Sequence, residues 1–362
     1  MPHPALTRRS VLGVALGALA APLLATAARA NAAPIRVGVL LDTSGTYAGI
    51  GARQLLGAEY QAGATELLLA DTAGDAALAS AAADRLIAEG VHALVGGSTP
   101  WTAAAIAAAG ERGRAPVVLT GNGWTPRESF VFRAGVPLPM SFDAAMSATA
   151  GLRLARIQQD LLHSTRGDRL LEKAAEDNGV TLADRVFAPS DGGDLRPVVA
   201  ELLRCAPDVV HISALPPFDG MAVRAIGELG WRGKVHCGPD TGTPGFFADA
   251  GGAAEGVRVA APWSAAWDLA PTATRSRLRA FADGFESTHG PLDTHAAFGA
   301  DAVAMLQAAF TGHDDRVAAR DRLAALTHAG LTGVYAMTNE DHGGLAEGSL
   351  TMLTAREGRW GI

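Results

Sequence analysis

The run Ile35-Arg36-Val37-Gly38-Val39-Leu40-Leu41 constrains this chain more than any other segment. Its apolar residues follow one another instead of alternating with polar ones, so a strand formed there is buried on both faces. Such strands belong to parallel sheets covered by helices. The unit then repeats: a glycine-rich turn, a helix from about Ala52 to Ala62, a strand at Glu66 to Ala70, and a helix from Ala76 to Glu89 with Asp75 as its N-cap. A strand at Ala93 to Val95, an Ala-rich helix after Pro100 and a strand at Pro116 to Thr120 complete a doubly wound βαβ lobe.

A second series starts after Pro137, with a helix near Phe142 to Leu154, a strand near Ile157 to Leu162, and a helix at Asp168 to Asn178 ended by Gly179. Next come a strand around Val186, a helix at Leu195 to Leu203, the strand Asp208 to Ser213 and a helix at Gly220 to Leu229. Strands at Lys234 to Gly238 and Val257 to Ala261 close the set. After Trp263 the chain offers helices at Thr272 to Thr288, Thr294 to Phe310 and Arg316 to Thr327, then strands at Val334 to Met337 and Ser349 to Thr354. The expected fold is therefore α/β, with two doubly wound parallel-sheet lobes joined by hinge crossings near Pro137, Trp263 and Leu331. Residues 34–136 and 263–330 would form the first lobe, and residues 137–262 and 331–362 the second.

Thr7-Arg8-Arg9-Ser10-Val11-Leu12 leads into an uncharged, Ala-rich run closed by Ala28-Arg29-Ala30, which reads as a twin-arginine signal peptide over residues 1–30. Pro22 inside the run and the A-x-A ending favour cleavage over a membrane anchor. The mature chain is expected outside the cytoplasm with no stable membrane insertion. The formal charge of −7 over the full sequence argues against nucleic acid, which requires a clustered basic face. In that oxidising compartment two cysteines invite a disulfide. Cys205 precedes the strand at Asp208 and Cys237 ends the strand at Lys234, so they fall at opposite sheet edges, too far apart to bridge. Both are expected to be buried free thiols.

Ligands of open α/β sheets sit beyond the carboxyl ends of strands, so the loops there carry the chemistry. The loop Asp42 to Gly51 matches neither G-x-G-x-x-G nor a phosphate loop, and no G-x-S-x-G, C-x-x-C or H-E-x-x-H occurs anywhere. No catalytic residue, metal or cofactor is assigned. The loop Gly96 to Thr102 offers Ser98, Thr99 and Thr102 hydroxyls and helix-start amides to an anion, with Trp101 beside them; the same hydroxyls are equally suited to capping the helix. Thr120, Gly121, Asn122 and Trp124 follow the next strand as polar groups beside an indole, and Gly238-Pro239-Asp240 places a carboxylate directly after a strand of the second lobe.

Several of these segments together resemble a known family. Ile35 to Val39, Ser44-Gly45, Gly57-Ala58-Glu59, Val95-Gly96-Gly97-Ser98, Asp208-Val209-Val210, Leu229-Gly230, Gly238-Pro239-Asp240, Gly333-Val334-Tyr335 and Gly358 are similar, in order and spacing, to the type I periplasmic binding proteins of branched-chain amino acid transporters. The resemblance implies a hinged binding protein, expected as a monomer, that delivers a small polar ligand such as an amino acid to an ABC transporter permease. It also implies that first-lobe hydroxyls and amides, Ser98 to Thr102 and Thr120 to Asn122, hold the carboxylate while Asp240 holds the ammonium. The family's ligand-closing aromatic residues align near Ile50 and Leu215, which are aliphatic here. A ligand sensor for a membrane receptor, or an α/β enzyme with the same two-lobed shape, are the alternatives; turnover would mark the enzyme and an absent uptake defect the sensor.

The export reading has a direct test. Replacing both Arg8→Lys and Arg9→Lys should leave uncleaved precursor in the cytoplasm. Mature protein starting near Asn31 and reaching the outside at normal yield would remove the twin-arginine assignment.

Overall fold

The computed structural model describes residues 34–362 apart from 122, 161–164 and 190–191. The expected signal segment, residues 1–30, lies outside the described residues. The first lobe begins β1 Arg36–Leu41, α1 Ala48–Gln61, β2 Glu66–Asp71, α2 Ala76–Ala88, β3 Ala93–Gly96, α3 Pro100–Gly113, β4 Val117–Leu119 and β5 Val131–Arg133. Its sheet runs β2-β1-β3-β4-β5, all parallel. Val37, Val39, Leu40 and Leu41 are buried on the two faces of β1, as the unbroken apolar run requires. Asp75 caps α2, its carboxylate accepting from Ala77 N at 2.6 Å and Leu78 N at 2.9 Å.

The second lobe comprises α4 Leu138–Ser147, β6 Arg153–Gln159, α5 Thr165–Asp177, β7 Thr181–Ala188, α6 Arg196–Leu203, β8 Val209–Ser213, α7 Phe218–Glu228, β9 Lys234–Cys237, α8 Gly245–Ala250 and β10 Arg258–Pro262. The parallel order β7-β6-β8-β9-β10 repeats the 2-1-3-4-5 order of the first sheet. The chain then returns to the first lobe as α9 Thr272–His289, α10 Thr294–Ala309 and α11 Arg316–Leu323. In α10, all but three residues are buried, because it lies against α1 at a distance set by two glycines. A Cβ at Gly57 would sit 1.9 Å from the Ala296 carbonyl oxygen, and one at Gly299 would sit 1.9 Å from that of Gln54.

Two boundaries differ from the sequence expectation. The first strand of the second lobe spans 153–159, not 157–162, because Arg156 and Gln158 interrupt its apolar pattern. The last crossing also comes later. After β11 Thr327–Ala329, the strand β12 Val334–Ala336 pairs with β11, and Tyr335 packs with Phe132 and Phe298 of the first lobe. The buried Asp301 carboxylate accepts from Leu331 N at 2.6 Å and Thr332 N at 2.8 Å, tying the turn there to α10. Only β13 Leu350–Arg356 and β14 Arg359–Gly361 join the second sheet, antiparallel at its β10 edge. Both cysteines are free; Cys237 is buried, whereas Cys205, in the turn after α6, is half-buried and not fully buried as expected.

The glycine contact predicts a large and local effect. Gly57→Val must push α1 away from α10 and should cost about 3 kcal/mol, the upper part of the usual overpacking range. Gly252→Ala, where nothing lies within 4 Å of the added carbon, should leave the melting temperature unchanged. Equal thermal stability for both variants would show that the α1–α10 approach is not a constraint.

Candidate functional site

In a 2-1-3-4-5 sheet the chain winds in opposite directions from the first and third strands, leaving a crevice at their carboxyl ends. In the second lobe this switch point lies between β6 and β8. Arg156 and Gln158 stand two residues apart on β6 and so share one face; their partners in register on β8 are His211 and Ser213. All four line a cavity of about 390 Å³ between the lobes. Trp101 and Pro100 close it from the first lobe, and Leu138, Phe142, Leu215, Pro239 and Asp240 add walls from the second.

The floor of this cavity is polar. Gln158 Oε1, His211 Nδ1 and Ser213 Oγ are buried without a hydrogen-bond partner among the described residues. Each such group costs about 1–3 kcal/mol until something bonds it. Burial, then His236 and Arg156 nearby, push the His211 ring down to about 3, so it is neutral at physiological pH. Arg156 donates to Asp168 at 2.8 Å and Arg185 reaches the other carboxylate oxygen at 2.7 Å. Burial alone would raise the Asp168 carboxyl, but the two guanidiniums, Arg185 foremost, hold it below the usual range.

The first lobe treats its own switch point differently. Ser98 Oγ accepts from Asp42 N at 3.0 Å and donates to Gln54 Oε1 at 2.7 Å, while Gln54 Nε2 donates to the Thr120 carbonyl at 2.5 Å. Thr99 and Thr102 form a capping box on α3, with their hydroxyls 2.8 Å apart. Of the expected site residues, the structure gathers Trp101, Leu215 and Asp240 around the cavity. Ser98, Thr99, Thr102, Thr120 and Gly121 are buried but do not line it, and Asn122 lies outside the described residues. Trp124 is 64% exposed and borders a neighbouring chamber, with the Arg166 guanidinium 5.3 Å from its ring centre.

Ile50 and Leu215 are aliphatic, and the aromatic residues three positions from each, Tyr47 and Phe218, are buried and do not line the cavity. Tyr47 meets Trp101 edge-on at 5.3 Å and Phe218 at 6.3 Å, across the two lobes. The Tyr47 hydroxyl accepts from Gln159 Nε2 at 3.1 Å, and Gln159 Oε1 accepts from Leu215 N at 3.0 Å. His295 on α10 lies 3.1 Å from the Asp240 carbonyl oxygen, a second contact between the lobes. The lobes are therefore closed on one another.

Residues 34–358 match the family described as periplasmic binding protein. The chain belongs to that family. As a type I periplasmic binding protein it is similar in fold to the leucine-binding protein LivK of Thermotoga maritima, at 22% identity and a TM-score of 0.79 over 90% of this chain and 97% of that one. The branched-chain amino acid transporter substrate binding protein LivJ of Streptococcus pneumoniae, solved in complex with isoleucine, gives 16% and 0.79 over 91% and 98%. A solute binding protein of an ABC transporter from Rhodopseudomonas palustris BisB5, in complex with 3,4-dihydroxybenzoic acid, gives 16% and 0.76 over 91% and 95%. No curated protein matches the sequence. Among the described residues no helix is long and apolar enough to cross a membrane.

Behind the Asp240 turn of this binding protein lies Asp219, at the start of α7. It is fully buried, with Oδ1 accepting from Gly220 N at 2.7 Å. Burial raises its carboxyl from 3.8 to about 7. Between those values the folded protein keeps a proton that the unfolded chain releases, so stability falls as pH rises from about 4 to about 7 and levels off above. Asp219→Asn should remove that fall and stabilise the protein at pH 8 by up to about 4 kcal/mol, one pKa unit being about 1.4 kcal/mol. Denaturant unfolding at pH 5 and pH 8 checks it; parallel pH profiles for the two proteins would mean that Asp219 is ionised when folded.

Proposed function

We propose that this chain is an exported periplasmic solute receptor that closes its two lobes on one small amphipathic ligand and presents it to an ABC importer. The observation that carries the ligand site is the trio of buried polar atoms on Gln158, His211 and Ser213, unpartnered among the described residues, in a cavity whose other walls include the apolar Trp101, Phe142, Leu138 and Leu215. Desolvated polar groups at the end of an apolar pocket select a ligand whose own hydrogen-bonding head completes them. Asp240 adds a carboxylate at the rim, suited to an ammonium or hydroxyl.

The first-lobe grip on a carboxylate, implied by the family resemblance for Ser98, Thr99, Thr102 and Thr120, finds little support in the geometry, since the hydroxyls of Ser98, Thr99 and Thr102 already bond within the first lobe. The polar specificity is therefore assigned to the second lobe, with Trp101 as an apolar lid. Membership in a solute-binding family, and a printed amino acid or aromatic acid ligand in two structural neighbours, support capture and delivery over catalysis.

Calorimetry of the mature protein against amino acids, amides and aromatic acids should find one class that binds. For its best member, Gln158→Leu and Asp240→Asn should each weaken binding at least about tenfold, since losing one desolvated hydrogen bond of about 1.4 kcal/mol is that factor. Deletion of the gene should abolish uptake of the same compound. Unchanged affinity in both variants would move the site away from this cavity.

A further inference from the structure

The cavity at β6 and β8 is only half of the cleft. A second chamber of about 450 Å³ shares Pro100, Leu138 and Gly167 with it and lies beyond the carboxyl ends of β4 and β5, under Trp124. Its walls are mostly apolar, including Ala104 and Ala107 of α3 and Leu170 of α5. One feature does not belong in an apolar chamber. Arg133, the last residue of β5, lines it while only 8% exposed.

That guanidinium is poorly compensated. Its Nη1 donates to the Gly123 carbonyl at 3.0 Å, but Nε has no partner, and Arg133 forms no ion pair among the described residues. Burial lowers its pKa, opposed in part by Asp341 and Tyr335, while Arg166 on α5 adds like charge. Glu111, the carboxylate of α3 at the same chamber, accepts from Phe130 N at 2.6 Å. A buried cation in this state costs several kcal/mol, and the tight fit against Gly343, where an added Cβ would lie 2.0 Å from Nη2, blocks retreat on that side.

Resting on the reading of the cleft as the solute site, we propose that Arg133 is an anion-binding residue of the same cleft, and that the cargo is an elongated carboxylate. Its polar head completes Gln158, His211 and Ser213, its apolar body passes Pro100 and Leu138, and its carboxylate bonds Arg133. This places the acid group in the first lobe but on a strand-end arginine instead of hydroxyls and helix-start amides. It also makes the cargo longer than a small amino acid, because it spans both chambers.

4-(4-Hydroxyphenyl)butyrate and 4-(4-hydroxyphenyl)butyramide, whose phenol hydroxyl supplies the polar head, test the proposal by calorimetry on the full mature protein. The acid should bind at least tenfold tighter than the amide, Arg133→Gln should erase that preference by weakening the acid far more than the amide, and Arg133→Lys should restore part of it. A melting temperature no lower than that of the parent, as expected on removing a poorly compensated buried cation, shows that the variant is folded. Acid and amide of equal affinity, no binding of the acid, or a preference that survives Arg133→Gln would overturn the proposal. Gln158→Leu separates the two readings: it should weaken acid and amide alike, and if it weakens neither while Arg133→Gln still acts, the anion site stands and the floor at β6 and β8 does not.

Discussion

A parallel sheet buried on both faces can present polar chemistry in few places, and its carboxyl edge is the main one. The helices of the βαβ units cover the faces, and the strand starts meet the returning loops. Everything at the cleft follows from that restriction applied twice. Two sheets with the same 2-1-3-4-5 order turn these edges toward each other, so the residues that end β4 and β5 in one lobe and β6, β8 and β9 in the other surround a common space.

The two lobes use their switch points in opposite ways. In the first, Asp42, Ser98, Gln54 and the Thr120 carbonyl bond one another, and Thr72 donates its hydroxyl to the Asp42 carboxylate. Burial raises the Asp42 carboxyl, and the hydroxyl bonds around it oppose that rise. This network stiffens the lobe, and Tyr47 and Trp101 beside it pack against the second-lobe core. In the second, the corresponding residues on β6 and β8 hold polar atoms that nothing in the lobe completes. The first-lobe network is mostly bonded within itself, although Asp42 Oδ2 and Thr120 Oγ1 are also without a partner among the described residues, whereas the second-lobe floor leaves Gln158 Oε1, His211 Nδ1 and Ser213 Oγ unbonded.

How far the sequence revealed this follows from the same contrast. The apolar run of β1, the Asp75 cap and the position of Asp240 after β9 are local signals, legible because each depends on neighbours within a few residues. Ser98, Thr99 and Thr102 were equally suited to ligand or cap by sequence; in the structure their hydroxyls take part in the capping box and in a bond to the distant Gln54. Arg156 and Gln158 were missed because they spoil the strand pattern that would have located them, and β6 was displaced accordingly. Local rules fail where a polar floor is built into a buried strand, and that failure is itself a pointer to a site. Asp301 hid the late crossing for a different reason, since a carboxylate bonding backbone amides thirty positions away leaves no periodic trace.

Among the contacts between the lobes, one side chain bonds in both directions. Gln159 ends β6, one residue past the cavity floor, and its amide joins the Leu215 backbone of the second lobe to the Tyr47 hydroxyl of the first. Tyr47 in turn braces Trp101, whose indole nitrogen donates to the Gly74 carbonyl at 2.6 Å. The lid over the cavity is therefore fixed to the strand that carries its floor. A ligand bonded to the second-lobe floor would meet the first lobe only at Pro100 and Trp101, so those are the contacts that exist in the closed arrangement alone. Differential affinity of this kind is what a two-state hinge needs, because a ligand shifts the equilibrium only by the contacts it makes in one state and not the other.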